Sequence, residues 1–284
     1  MQFSSASAFK ASLEARLRML AESKSIPFST VQLKFVIERL LARLFHEESP
    51  AWILKGGFAM DLRFRPRART TKDVDLAVAL VTNSSSLREA LQRAVEVDLG
   101  DFLSFRIGLP TKEIANAPHG GSRYPCEAIL LGKTYAKFHL DIGVGDPTIV
   151  APDVLEGEDF LGFMGIAPAK VFVLSKEQQF AEKLHTYSYP WGDRENSRTR
   201  DLVDLVLIIE RGQPDVGKIR AALAVTFDVR ATHSIPVELN PPPSSWSNDF
   251  GGMAREAGLT TESHTEAFEK LRGYWRDHRF VERE

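Results

Sequence analysis

Residues 54–76 read LKGGFAMDLRFRPRARTTKDVDL, and no other stretch of the chain says as much about its fold. An apolar run, Ala51 to Leu54, leads into Lys55, Gly56 and Gly57, and further on two carboxylates stand at i and i+2, Asp73 and Asp75. In a β-strand, residues i and i+2 point to the same face. The two acids therefore project together, with Val74 turned into a core between them. Paired carboxylates with open coordination positions suit Mg²⁺, which binds through one or two carboxylates plus the phosphates of a substrate. A double glycine between a strand and a helix brings backbone N–H groups close to an anion, aided by the helix N-terminus. A phosphate cradle beside a metal clamp points to nucleotidyl transfer. Either motif alone is a weak signal, since Asp-x-Asp also occurs as surface charge and Gly-Gly as a tight turn that needs positive φ. Their meeting within one stretch is what carries weight.

Two further blocks extend this chemistry. In KFHLDIGVGD (137–146) the run around Asp141 alternates apolar and polar residues, as a half-buried strand does. A strand acid beside the first pair would supply the extra carboxylate of a two-metal site, whereas the alternative is an ordinary polar-face Asp. Asp146, before Pro147, reads as a turn residue. Downstream, residues 180–210 read FAEKLHTYSYPWGDRENSRTRDLVDLVLIIE. An amphipathic helix is expected over Lys176–Tyr187, then a polar loop, then a second helix from about Thr199 with Asp201 and Asp204 one turn apart. Lys183 is either a compact positive charge for a triphosphate or a solvated surface lysine. Asp201 also suits a first-turn acid stabilised by the helix dipole.

Taken in order, these blocks resemble the AbiEii/AbiGii-type nucleotidyltransferase toxins. The resemblance rests on Lys55-Gly56-Gly57, Arg69-Thr70-Thr71-Lys72-Asp73-Val74-Asp75-Leu76, Asp141, Lys183-Leu184-His185 and Arg200-Asp201-Leu202-Val203-Asp204, and covers roughly residues 30–210. It implies a polymerase-β-like nucleotidyltransferase fold of the α+β class, with a mixed sheet and a helical C-terminal region. It also implies Mg²⁺-dependent use of a nucleoside triphosphate, an RNA acceptor such as the tRNA 3′ end, a block on translation, and a separate antitoxin protein as partner. Asp73, Asp75 and Asp141 then become the metal set. Asp201, Asp204 and Lys183 join the catalytic set, and Lys55, Gly56, Gly57, Arg69 and Lys183 bind the nucleotide. One position departs from the pattern: Phe58 follows the glycines where related sequences often carry Ser or Thr, so no side-chain hydroxyl is offered there. Transfer to a protein or small molecule, or an idle binding fold, remain the alternatives.

Composition agrees with this reading. The 284 residues suit an ordinary globular chain, with 43% hydrophobic and 26% charged residues. A division into 1–165, the nucleotidyltransferase domain with its N-terminal helices, and 166–284, a mainly helical lobe, is expected. No apolar run approaches the ~20 residues of a membrane span and no signal-peptide pattern opens the chain, so a cytoplasmic protein is expected. The single cysteine, Cys126, excludes an internal disulfide. A net charge of −2 argues against indiscriminate nucleic-acid binding, but the charge is uneven. Arg63, Arg65, Arg67, Arg69 and Lys72 crowd one stretch, and the first three suggest an RNA-binding surface; Arg194, Arg198 and Arg200 lie in the later loop.

The remaining expected elements are helices at Ser7–Ser23, Ser29–Glu47 and Ser86–Val97, a short helix from Gly57, and strands at Ala51–Leu54, Val74–Val81, Phe102–Ile107, Cys126–Leu131 and Lys137–Ile142. Helical patterns then dominate from Lys176 onward. The Pro241–Pro243 run with Ser244 and Ser245 suggests a stiff loop that packs the last helices separately. His119 and His185 have no partners at metal-ligand spacing and read as structural or substrate-adjacent.

Overall fold

Alternation of apolar and polar residues builds the sheet, and 3.6-residue periodicity builds the helices that cover it. The computed structural model describes residues 5–47, 51–65, 73–78, 84–114 and 118–281. These fall into two compact units. The first is drawn from Met1–Phe58, Thr71–Gly145 and Val154–Val173, and the second from Ala59–Thr70, Asp146–Asp153 and Leu174–Glu284.

The first unit opens with two helices, α1 (Ala6–Lys24) and α2 (Phe28–Leu44). Ser5 caps α1 by accepting from the Ala8 amide, which satisfies one of the orphan donors of a helix start. The strand β1 (Trp52–Lys55) runs straight into α3 (Gly56–Phe64), and β2 (Asp73–Val78) follows. Then come α4 (Ser84–Val95), β3 (Leu103–Ile107), β4 (Lys112–Glu113), β5 (Gly121–Leu130), β6 (Lys133–Val144), β7 (Asp153–Glu156) and β8 (Lys170–Val173). The sheet order is β3-β5-β6-β2-β1-β8-β7, with β4 paired to β5. It is mixed: β1 is antiparallel to β2 and parallel to β8, β2 is parallel to β6, and β5 is antiparallel to both β6 and β3.

Register sets which residues share a face. Leu54, Leu76 and Ile142 lie side by side across β1, β2 and β6, and all are fully buried. Two residues back along β2, Val74, Leu140 and Tyr124 form a second buried row. Burying each such side chain contributes about 1.5–3 kcal/mol. A one-residue slip would turn both rows to solvent, so the register is strongly specified.

On α2, Val36, Ile37, Leu40 and Leu41 form a fully buried stripe. The same helix also carries Arg39 and Arg43 inward to Asp101. Arg43 grips Asp101 through both terminal nitrogens, at 3.0 and 2.7 Å, and donates a further bond to the Leu103 carbonyl. Burial alone would raise the Asp101 pKa, but the Arg43 hydrogen bond and the two positive charges hold it below the usual carboxylate range. This ties α2 to the start of β3.

The second unit is built on α5 (Lys176–Tyr187), α6 (Thr199–Leu207) with a π-helical continuation at Ile208–Gly212, α7 (Val216–Arg230), α8 (Phe250–Ala257) and α9 (His264–Asp277). Ser175, Asp215 and Ser263 cap α5, α7 and α9 with their side chains. One core cluster joins Phe180 and Leu184 of α5, Leu205 and Val206 of α6, Phe250 of α8 and Trp275 of α9.

Several expectations change. The last helices do not pack separately: Leu239 and Trp246, on either side of the proline run, join the common core, and Tyr187 donates to the Asn240 carbonyl. The proline run is therefore a strap held by burial at both ends. The hairpin strands β5 and β6 are longer than Cys126–Leu131 and Lys137–Ile142 suggest, because their pairing runs from Leu130 opposite Lys133 to Gly121 opposite Gly143. The strands β7 and β8 are not visible in the sequence, since four-residue strands lack a discernible period; β8, beyond residue 166, pairs with β1. Residues 79–81, expected to end the second strand, lie outside the described residues. Among the described residues no helix is long and apolar enough to cross a membrane.

Candidate active site

The open face of the sheet in the first unit carries a charged row between the two buried ones. Lys55 stands opposite Asp75, Asp75 beside Asp141, and Asp141 opposite Arg123, so four adjacent strands present cation, anion, anion, cation in one line. The next outward row begins with Asp73 and continues with His139. Val74 is fully buried while Asp73 and Asp75 are half-buried, so the i, i+2 geometry puts both carboxylates on the solvent side. The Asp73 side chain is 44% exposed and that of Asp141 17%.

The glycine turn lies against this row. Gly56 has φ +66°, a left-handed conformation that β-carbons disfavour, and begins α3 directly after β1. A β-carbon at Gly56 would come within 2.0 Å of the Asp75 Oδ2 atom. The Asp75 carboxylate thus occupies the space above this glycine, and no other residue type leaves it room. Gly57 and Phe58 are buried, Phe58 to 1% exposure. The position that lacks a hydroxyl is therefore a core position, and phosphate binding at this turn falls to backbone N–H groups at the start of α3.

Arg123, on β5, was not found by sequence reasoning. Its Nε and Nη2 donate to the two oxygens of Asp141 at 2.7 and 2.6 Å, and Nη2 lies 3.7 Å from Asp73 Oδ2. These carboxylates raise the Arg123 pKa, with the Asp141 hydrogen bond the largest cause. The only signal in the sequence is an arginine on the polar phase of an alternating strand, and its pairing with Asp141 depends on a cross-strand register that the sequence does not display. His139, on β6, places Nδ1 3.9 Å from Asp73 Oδ1.

Asp73 and Asp75, half-exposed on one face and next to a helix N-terminus, fit a divalent cation that completes its shell with substrate phosphates. Among the described residues no group of three or more His, Cys, Asp or Glu is placed to hold a metal ion.

The second unit holds the other predicted set. Lys183 is buried at 8% exposure, its Nζ 2.6 Å from Asp204 Oδ2 and 3.5 Å from Asp201 Oδ1. Asp204 is fully buried, and Asp201 accepts from the Thr186 hydroxyl at 3.0 Å. Lys183 is thus no solvated surface lysine; α5 and α6 fold it into an ionic triad. His185 Nε2 bonds to Thr232 Oγ1 at 2.9 Å, and its ring packs on Phe227 and His233. Burial, then the charges of Arg230 and His233, push its pKa down to about 3, so it is a neutral structural histidine. Asp146 is more than a turn residue: it is buried and paired with Arg230 at 3.2 Å.

The basic stretch divides. Arg63 is largely buried, with its guanidinium 2.7 Å from Asp153 and donating to the Leu174 carbonyl. Its two terminal nitrogens are thus engaged inside the second unit, Nη1 with Asp153 and Nη2 with the Leu174 carbonyl. Arg65 donates weakly to the Leu62 carbonyl at 3.4 Å and is half-buried. Arg67, Arg69, Thr70, Thr71 and Lys72 lie outside the described residues.

A mixed sheet with paired strand carboxylates, a glycine turn opening a helix and a helical C-terminal region together form an α+β fold of the nucleotidyltransferase kind. Within it, the chain belongs to the AbiEii family, nucleotidyl transferase toxins of type IV toxin–antitoxin systems, whose sequence profile matches residues 39–277. Among solved structures the chain is similar in fold to MenT4, the nucleotidyltransferase toxin Rv2826c from Mycobacterium tuberculosis, with a TM-score of 0.56, 12% identity, and 93% of this chain and 96% of that one covered. A weaker match is JHP933 from Helicobacter pylori, with a TM-score of 0.42, 14% identity, and coverage of 88% and 97%. No curated protein matches the chain in sequence. The protein is a nucleotidyltransferase toxin, and its family implies a nucleoside triphosphate substrate and an antitoxin partner.

Proposed function

We propose that this toxin uses Mg²⁺ and a nucleoside triphosphate to add nucleotides to an RNA 3′ end, that of tRNA in particular, and thereby blocks translation in the cytoplasm. The observation that carries the reading is Asp73, Asp75 and Asp141 on one sheet face beside the glycine turn at the start of α3. Asp73 and Asp75 would hold the cation. When bound, it supplies charge neutralisation to the phosphates and aligns them for displacement.

The remaining work falls to the chain's own groups. Backbone N–H groups at Gly56 and Gly57 offer hydrogen bonds to phosphate oxygens, and Lys55 and Arg69 add positive charge. The RNA 3′-hydroxyl attacks the α-phosphorus in line, the bond to the bridging oxygen breaks, and pyrophosphate leaves. The hydroxyl proton passes toward the carboxylate face, where Asp141 completes the acidic set. Catalysis of this kind rests on positioning and charge stabilisation rather than covalent chemistry. Lys183 is assigned to phosphate charge, and Asp201 and Asp204 hold its ammonium in place. Arg65 and Arg67 are assigned to the acceptor RNA.

The test incubates the protein with α-labelled nucleotides, Mg²⁺, total RNA and total protein. Label is expected in RNA of tRNA size, dependent on Asp75 and abolished by chelator. Label entering only protein would replace this reading with a protein-modifying one.

A further inference from the structure

The third carboxylate of the acidic face is already engaged. Arg123 grips Asp141 with a two-pronged contact at 2.7 and 2.6 Å, the geometry in which a guanidinium binds a carboxylate most strongly. The contact is built by register rather than by chance surface approach, because Arg123 and Asp141 are directly opposed on β5 and β6. The guanidinium also leans toward Asp73, at 3.7 Å. It remains 32% exposed, which leaves it room to turn on the solvent side of the sheet.

A carboxylate whose two oxygens both accept from one guanidinium has its best lone pairs occupied. A metal ion seeking Asp141 must displace those hydrogen bonds or share the oxygens with a like charge close by, and both outcomes cost affinity. Arg123 treats the acids unequally, since it forks onto Asp141 but comes no nearer than 3.7 Å to Asp73. Its competition with a metal therefore falls mainly on Asp141.

From this geometry we infer that Arg123 is the resident counter-cation of Asp141, and that it competes with divalent metal for that carboxylate. The consequence is that Asp141 becomes available to a cation only when Arg123 turns away, as it would toward the phosphates of an arriving nucleotide. Arg123 acts here as a positioning residue that sets metal occupancy. The inference rests on the metal-binding reading of Asp73 and Asp75 given above.

The experiment titrates the full chain with Mn²⁺ alone, without nucleotide, and follows free Mn²⁺ by its electron paramagnetic resonance signal. Arg123→Gln should tighten Mn²⁺ binding about tenfold, within the ordinary range for two ligands coupled through one group. Arg123→Lys keeps the charge but loses the fork, so it should tighten binding less. The gain should vanish in the double variant Arg123→Gln/Asp141→Asn. Melting temperature confirms that each variant is folded, and Arg123→Lys carries the comparison if Arg123→Gln does not fold. Unchanged or weakened Mn²⁺ binding in a folded Arg123 variant overturns the inference while leaving the metal reading intact, provided that Asp75→Asn still abolishes binding. Mn²⁺ binding indifferent to Asp75→Asn overturns both.

Discussion

Two sets of acids, one in each unit, meet a cation in opposite surroundings. On the sheet of the first unit, Asp73, Asp75 and Asp141 are only partly buried, with Arg123 reaching Asp141 and Asp73. Between α5 and α6 of the second unit, Asp204 is fully buried and Lys183 nearly so. A charge near solvent costs little to leave unpaired and is free to change partners, whereas a buried one must keep its partner or destabilise the fold. The sheet site is thus suited to exchanging ligands, and the helical triad to fixing an ammonium in one place.

The largest effect should come from breaking the buried set. Lys183→Ala removes the ammonium that pairs with the fully buried Asp204 and should lower unfolding stability by about 3–5 kcal/mol, as measured by urea denaturation. Lys183→Arg should restore part of the stability and only part of the turnover, because the guanidinium places its charge differently. A Lys183→Ala protein with unchanged stability would erase the contrast between the two sites.

Asp75→Ala should do the reverse. Transfer of labelled nucleotide should fall by at least about a hundredfold and growth inhibition should be relieved, while stability moves by less than about 0.5 kcal/mol. Full toxicity in a folded Asp75→Ala protein would end the metal-dependent mechanism. Gly56→Ala should mimic this loss, since its new methyl group displaces the Asp75 carboxylate.

A smaller effect tests the neutral histidine of the helical unit. The folded pKa of His185, about 3, lies below its ordinary value of 6.5. Between these values the unfolded chain binds the extra proton, so stability is complete above about pH 6.5 and declines as pH falls, by at most ~1.4 kcal/mol per pH unit. Denaturation between pH 7 and 5 should show this slope, and His185→Gln should flatten it. A slope unaffected by the substitution would assign the dependence to other groups.

The smallest effect concerns the basic stretch. Reversing charge at Arg65 and Arg67 should weaken RNA modification more than nucleotide binding. It should also lower the log-log salt slope of RNA binding by about one for each phosphate left unneutralised. RNA labelling that withstands both reversals would locate the acceptor surface elsewhere.

How legible the site was depended on the range of each interaction. Asp73 and Asp75 were readable because strand period alone puts them on one face, and Asp141 because its own strand alternates. Gly56 was readable as a turn, but the carboxylate packed above it was not. Arg123 was hidden because its partner lies on another strand, and so was the Arg63–Asp153 pair, because a basic run in sequence says nothing of an aspartate that folds back onto it. The strands β7 and β8 were too short to show a period.

Local periodicity and motif spacing are written in the chain itself. They sufficed for the paired acids, the glycine turn into a helix, the amphipathic helices and, through the order of these blocks, the family. Which charges meet was settled only by folding in three dimensions. Register lined up Lys55, Asp75, Asp141 and Arg123 across four strands, and helix packing buried Lys183 against Asp204. The physical reason is that pairing and burial are non-local: they depend on which distant residues share a row or a core, and no period within one segment records that.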